Sequence, residues 1–164
     1  MGCESAWRRI NLFYGTAAMI QNPETYEILL VDDSQVDVDL TILALSRLNF
    51  NKPVQIARDG AETLEIIESW EQGNPTPKLI LLDIKLPKVS GLEVLKVLKS
   101  SKLAMFIPVV MLTSSNNDAD IRTAYELGAN SYITKPVDFD KFMVLTNALC
   151  DYWLSLNVRP EVQG

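Results

Sequence analysis

Residues 79–82 are four aliphatic side chains in a row, Leu79-Ile80-Leu81-Leu82, closed by a single acid, Asp83. A short run that is apolar at every position has no side to turn toward water. It predicts a strand in a parallel sheet covered by helices on both faces. Asp83 then stands at the strand's C-terminal end, where open α/β sheets gather their ligands. Taken alone, the acid reads equally well as the start of a turn running through Pro87 to Gly91. The neighbouring segments decide between the two.

The same arrangement recurs along the chain. Residues 28–31 predict a short buried strand closed by Asp32 and Asp33. Ser34, with Asp37 three residues on, predicts the cap of a helix running to about Asn49, with Val36, Leu40, Leu43 and Leu48 at helical spacing. After Lys52-Pro53, residues 54–57 predict a second strand, and Asp59 with Glu62 a capping box that opens a helix carrying Leu64 and Ile67. Beyond Asp83, a tight loop to Gly91 opens a third helix, with Leu92, Leu95 and Leu98 inward and Lys96, Lys99 and Lys102 on a solvated face. Residues 107–112 predict a fourth strand, followed by Thr113-Ser114-Ser115, where a hydroxyl also suits a plain helix cap. A helix over 116–127 ends at Gly128, a fifth strand over 130–134 closes on Lys135-Pro136, and Asp138 caps a last helix to about Leu156. Strand and helix alternate throughout, so the predicted fold is α/β, a doubly wound five-stranded parallel sheet with five helices.

Length and composition set bounds. A chain of 164 residues fits one domain with modest tails, read as an extension over 1–25, a domain over 26–156 and a tail over 157–164. A net charge of −6 argues against a general nucleic-acid binder. Cys3 and Cys150 are too few for a disulfide framework. The sequence holds no histidine, which removes Ser-His hydrolysis, His-ligated zinc and a phosphohistidine carried by this chain. The start, Trp7-Arg8-Arg9 before a diluted apolar run, only faintly resembles a signal peptide; it reads as a loose extension or as residues upstream of a start at Met19. No segment is long enough to span a bilayer, so neither a membrane nor an export role is expected.

In a parallel sheet the C-terminal strand ends share one edge, so Asp32, Asp33, Asp83, Thr113 and Lys135 should converge. Three carboxylates within a few ångströms repel one another and call for a cation, and an all-oxygen ligand set favours Mg²⁺. Lys135 adds a second positive charge and Thr113 a hydroxyl. Such a group can stabilise a transferring phosphoryl, with Asp83 as the nucleophile that becomes an aspartyl phosphate. The enzymatic alternative is a small Mg²⁺-dependent phosphatase with Asp83 as nucleophile; phosphatases of the haloacid-dehalogenase type carry a general-acid aspartate two residues beyond theirs, where this chain has Lys85.

The motifs V-D-D (31–33), L-L-D-x-x-L-P-x-x-x-G (81–91), L-T-S (112–114) and Y-x-T-K-P (132–136) resemble the receiver domains of two-component response regulators. The resemblance covers about residues 26–150 and implies the sheet order 2-1-3-4-5. It implies Asp83 as phosphoacceptor, and Asp32, Asp33 and the backbone carbonyl of Lys85 as further ligands of Mg²⁺. Thr113 and Lys135 would sense and pair with the phosphoryl group. Tyr132 falls at the family's aromatic switch position, and the Lys135-Pro136 peptide is cis in many relatives. Residues 74–91, 107–115 and the run through 151–156 resemble more narrowly the stand-alone regulators paired with bacterial phytochromes. With only about 14 residues after the receiver core, no output domain is expected. The resemblance implies a cytoplasmic protein phosphorylated by a sensor histidine kinase. On the last helix, Phe142, Leu149 and Trp153 form one apolar stripe and Leu145, Tyr152 and Leu156 a second, offset by about 60°. The part the sheet leaves uncovered would suit a homodimer contact.

Overall fold

A computed structural model describes residues 26–160. The proposed extension over 1–25, with its alternative start at Met19, and the last residues of the tail lie outside the described residues. Five strands, β1 (Ile28–Val31), β2 (Val54–Ala57), β3 (Leu79–Leu82), β4 (Val109–Thr113) and β5 (Ser131–Thr134), form one sheet in the order β2-β1-β3-β4-β5. Every pairing is parallel, with Leu29 opposite Ile80 and Ile80 opposite Val109 in register. Helices α1 (Gln35–Arg47), α2 (Gly60–Glu71), α3 (Gly91–Ser100), α4 (Asp118–Glu126) and α5 (Phe139–Cys150) connect and follow the strands. The expected fold class and strand order are the ones observed.

Side chains of a strand alternate between two faces, and both faces of this sheet are covered, so every residue of β1, β3 and β4 is buried. Leu29, Val31, Ile80, Leu82, Val109 and Met111 point to one face, where α2, α3 and α4 supply Ile67, Trp70, Leu95, Leu98 and Ala124. Ile28, Leu30, Leu79, Leu81, Val110 and Leu112 point to the other, against Val38, Ala44 and Leu45 of α1 and Phe142 and Leu149 of α5. At the sheet's outer edge β2 is only partly covered.

Several local expectations change. The inward face of α1 is Val38, Thr41, Ala44 and Leu45, whereas Val36 is 67% exposed. The helix is therefore rotated from the Val36–Leu40–Leu43 stripe, and Ala and Thr fill the close contact with the sheet. On α2, Glu62 accepts from the N–H of Arg58 rather than of Asp59, so the reciprocal cap stops half-made; a complete one stands unexpectedly at Ser90 and Glu93 of α3. Lys99 is only partly solvated. Its stem lies along the fold and Nζ donates to the carbonyls of Met105 and Ile107 and to Asn130 Oδ1 at 2.9–3.2 Å, with burial pulling the amine's pKa down to about 8. The last helix does reach Leu156, but from Asp151 it widens into a π-helix whose closing bond is Asn157 N–H to Tyr152 O at 2.7 Å. Trp153 packs on the core there, while Tyr152 and Leu156 of the second stripe stay 50% and 65% exposed. Past the helix, Arg159 donates to Pro77 O at 2.9 Å, tying the tail to the loop before β3. Among the described residues no helix is long and apolar enough to cross a membrane.

Candidate functional site

The hydrogen-bond ladder of the sheet continues one residue past the strands and places the polar groups. Asp32 N–H donates to Ala57 O at 3.1 Å, Asp83 N–H to Val31 O at 3.0 Å, and Lys135 N–H to Thr113 O at 2.8 Å. Each side chain is thus set by a neighbouring strand's backbone rather than by a free loop. The edge they share lies beside β1 and β3, where the strand order reverses and open sheets leave a crevice.

There the carboxylate oxygens of Asp32, Asp33 and Asp83 lie within 4.8 Å of one another. Asp32 and Asp83 are buried and Asp33 is exposed. Lys135 reaches in from β5, its side chain 9% exposed, and Nζ donates to Asp32 Oδ2 at 2.7 Å, Asp37 Oδ2 at 2.8 Å and Asp83 Oδ2 at 3.1 Å. Asp32 Oδ1 also accepts from Ser34 N–H at 3.0 Å, and Asp83 Oδ1 from Lys85 N–H at 3.3 Å. Burial pushes the Asp32 carboxyl above the usual range against the pull of Lys135 and Ser34. For Lys135, burial works to lower the pKa, but the bonds to Asp32 and Asp37 and the charges of Asp32 and Asp83 outweigh it. The amine is held above its ordinary value and stays charged. The oxygen-only donor set, open on the Asp33 side, fits a hard divalent cation.

Thr113, fully buried at the end of β4, does not cap a helix; its Oγ1 accepts from Ser115 N–H at 3.2 Å, and Asn117 caps α4. Tyr132 is half-buried on β5, its hydroxyl donating to Ser115 O at 3.0 Å. Burial raises its pKa, the Ser115 bond opposes that, and the Asp120 and Asp83 charges add to it. Ser115 Oγ in turn donates to Asp120 Oδ2 at 2.7 Å. The Lys135-Pro136 peptide is trans, not cis.

Sequence reasoning missed Asp37 as a site residue, although its position was flagged for capping. Ser34 does accept from Asp37 N–H, at 3.3 Å, but the Ser34 N–H bonds to Asp32 instead of returning to Asp37. The Asp37 carboxylate is left for Lys135.

The chain belongs to the response regulator receiver domain family, whose description matches residues 28–147, from the first residue of β1 well into α5. Within that family it resembles small regulators along most of their length. The probable methanogenesis regulatory protein FilR2 of Methanothrix harundinacea is 37% identical over 143 residues, 87% of this chain and 92% of that protein. Response regulator Rcp1 of Synechocystis is 36% identical over 135 residues, 81% of this chain and 92% of that protein. Among solved structures, the phosphorylated cyanobacterial phytochrome response regulator RcpA matches with a TM-score of 0.77 at 35% identity, covering 83% of this chain and 99% of that one. The Mn²⁺-bound form of Rcp1 gives 0.75 at 34% identity, covering 84% and 100%.

Proposed function

We propose that this receiver takes a phosphoryl group from the phosphohistidine of a sensor histidine kinase onto Asp83, and that the aspartyl phosphate switches its protein contacts. The observation that carries this reading is the ion pair of Lys135 with Asp83 inside a three-carboxylate group at the sheet's switch point. One oxygen of Asp83 forms the new O–P bond as the donor's P–N bond breaks, and the imidazole nitrogen leaves with the bonding pair. Asp32, Asp33, Asp83 and the backbone carbonyl of Lys85 would hold Mg²⁺, which supplies charge neutralisation at the phosphoryl oxygens. Lys135 pairs with one of those oxygens, and Thr113 donates its hydroxyl to another.

The likeness to RcpA, a phytochrome response regulator solved in its phosphorylated form, supports a phytochrome-like kinase as donor. Val36, on the first turn of α1, and Val137, two residues past Lys135, are exposed apolar side chains flanking the site and suit the kinase's docking surface. Phosphorylation would draw Thr113 and the loop to Ser115, and with it the Tyr132 hydroxyl, changing the α4–β5–α5 face. Unchanged partner binding on phosphorylation of Tyr132→Ala would remove that role. The exposed stripe of Tyr152 and Leu156 would serve a homodimer, which a monomer by light scattering at micromolar concentration, with and without beryllofluoride, would refute.

The test of the main reading is intact-mass analysis after incubation with Mg²⁺ and acetyl phosphate. One phosphoryl mass is expected, requiring Mg²⁺ and lost in Asp83→Asn. Steady turnover of a generic phosphomonoester would instead favour the Mg²⁺-dependent phosphatase, against which the exposed Lys85 stands where an acid is needed.

A further inference from the structure

An ammonium has three protons, and Lys135 gives one each to Asp32, Asp37 and Asp83. Two of those acceptors belong to the carboxylate group suited to a cation; Asp37 does not. A cation held there would draw on the charge of Asp32 and Asp83, and a phosphoryl group on either oxygen of Asp83 would turn that carboxylate into an acyl phosphate, a weaker acceptor for the Lys135 amine. Asp37 is the acceptor that neither event removes.

We propose that Asp37 is a positioning residue for the phosphoryl reaction: it keeps the Lys135 amine at the phosphoryl position once cation and phosphoryl group have claimed the other two carboxylates. This rests on the reading of Asp83 as phosphoacceptor. Three further features fit the role. The backbone of Asp37 is fixed from both sides, its N–H on Ser34 Oγ at 3.3 Å and its carbonyl accepting from Thr41 Oγ1 at 2.8 Å. Its carboxylate has given up the reciprocal cap of α1, which Asp32 takes over by accepting from Ser34 N–H. Its side chain is 34% exposed, against 3% and 8% for Asp32 and Asp83, so it meets Lys135 from the solvent side, outside the buried pair.

The test compares Asp37→Asn and Asp37→Glu with the parent in two measurements. In metal-free protein, the Lys135 ammonium ¹H–¹⁵N resonance is expected in the parent, because its protons are held in hydrogen bonds, and should broaden away in Asp37→Asn. At saturating Mg²⁺, beryllofluoride affinity should fall about tenfold in Asp37→Asn, where a neutral amide oxygen replaces the charged acceptor of Lys135, and recover partly in Asp37→Glu. Melting temperature, read alongside, should stay near the parent's, separating positioning from a fold defect. Parent-like beryllofluoride affinity in a folded Asp37→Asn overturns the proposal while leaving the phosphoacceptor reading intact. A parent that binds no beryllofluoride, or binds it equally well as Asp83→Asn, overturns that reading and the proposal with it.

Discussion

Gly91 is the residue whose replacement should damage fold and site together. It is the first residue of α3, and its N–H donates to Ile84 O at 2.9 Å, pulling the helix start onto the loop that carries Asp83. A Cβ built there would overlap the Asp83 carbonyl oxygen, stand 2.8 Å from its carbonyl carbon and 2.9 Å from Ile84 Cα. Carbon atoms pack at about 3.5–4.0 Å, so the shortfall is about 0.7 Å or more against backbone that cannot rotate away. The Asp83 backbone is tethered to Val31 O, and α3 is held by Val94, Leu95 and Leu98 in the core. Overpacking costs about 1–3 kcal/mol, and two anchored partners put Gly91→Ala at about 3 kcal/mol. For a chain of this length that is about 9 °C in melting temperature. Gly73→Ala is the control: its added Cβ meets nothing within 4 Å, so only the backbone strain of its φ of +95° is felt, at about 1 kcal/mol. Urea unfolding with Mg²⁺-dependent phosphorylation by acetyl phosphate reads both effects. Gly91→Ala should lose stability and phosphorylate more slowly than Gly73→Ala. Equal stability and equal rates for the two variants would refute the close-approach argument.

Lys135→Met should cost about 3 kcal/mol without metal, because it leaves Asp32 and Asp83 buried without their cation, and much of the loss should return on adding Mg²⁺; urea melts with and without the ion check this, and a loss that Mg²⁺ does not restore would count against a cation site. Tyr26→Phe removes the acceptor of the buried bond from Trp70 Nε1, 2.7 Å long, and should cost about 1–2 kcal/mol near neutral pH. Burial pushes the Tyr26 hydroxyl up to about 12, above its unfolded value near 10, so its contribution is full below pH 10 and is lost as pH rises toward 12. The parent should therefore lose about 2 kcal/mol more than Tyr26→Phe over that range, and parallel alkaline melts would refute the assignment.

The sheet was legible because its signal is strong and local. Four-residue apolar runs at 28–31 and 79–82 have no exposed side, and both became fully buried strands. The acids, the threonine and the lysine at the strand ends followed once parallel pairing was accepted, since the ladder itself carries Asp32, Asp83 and Lys135 to one edge. Helix faces were less legible. On α1, periodicity favoured the larger Val36 and Leu43, but the sheet contact admits Ala44 and Thr41, whose small size spacing rules rank low. Lys99 was misread because a lysine at a helix's end has the pattern of a solvated residue. Only tertiary structure brings the Met105 and Ile107 carbonyls and Asn130 around its amine.

Asp37 shows where such local rules fail for a chemical reason. At the third position of a helix, a glutamate can reach back to the N-cap N–H, as Glu93 does to Ser90 at 3.0 Å. An aspartate is one methylene shorter, and at α1 the Ser34 N–H is taken by Asp32. The local motif is therefore incomplete by itself, and its spare carboxylate is satisfied by a lysine 98 residues away. A local pattern left unfinished beside a charged cluster signals that a longer-range interaction is using the same atoms. By that criterion the half-made cap on α2, where Asp59 pairs with Lys88 at 2.6 Å, is the weaker case, because that lysine is largely exposed and its ion pair is screened by solvent. Lys135, with its side chain 9% exposed, has no such screening, so its acceptors control where the amine can sit.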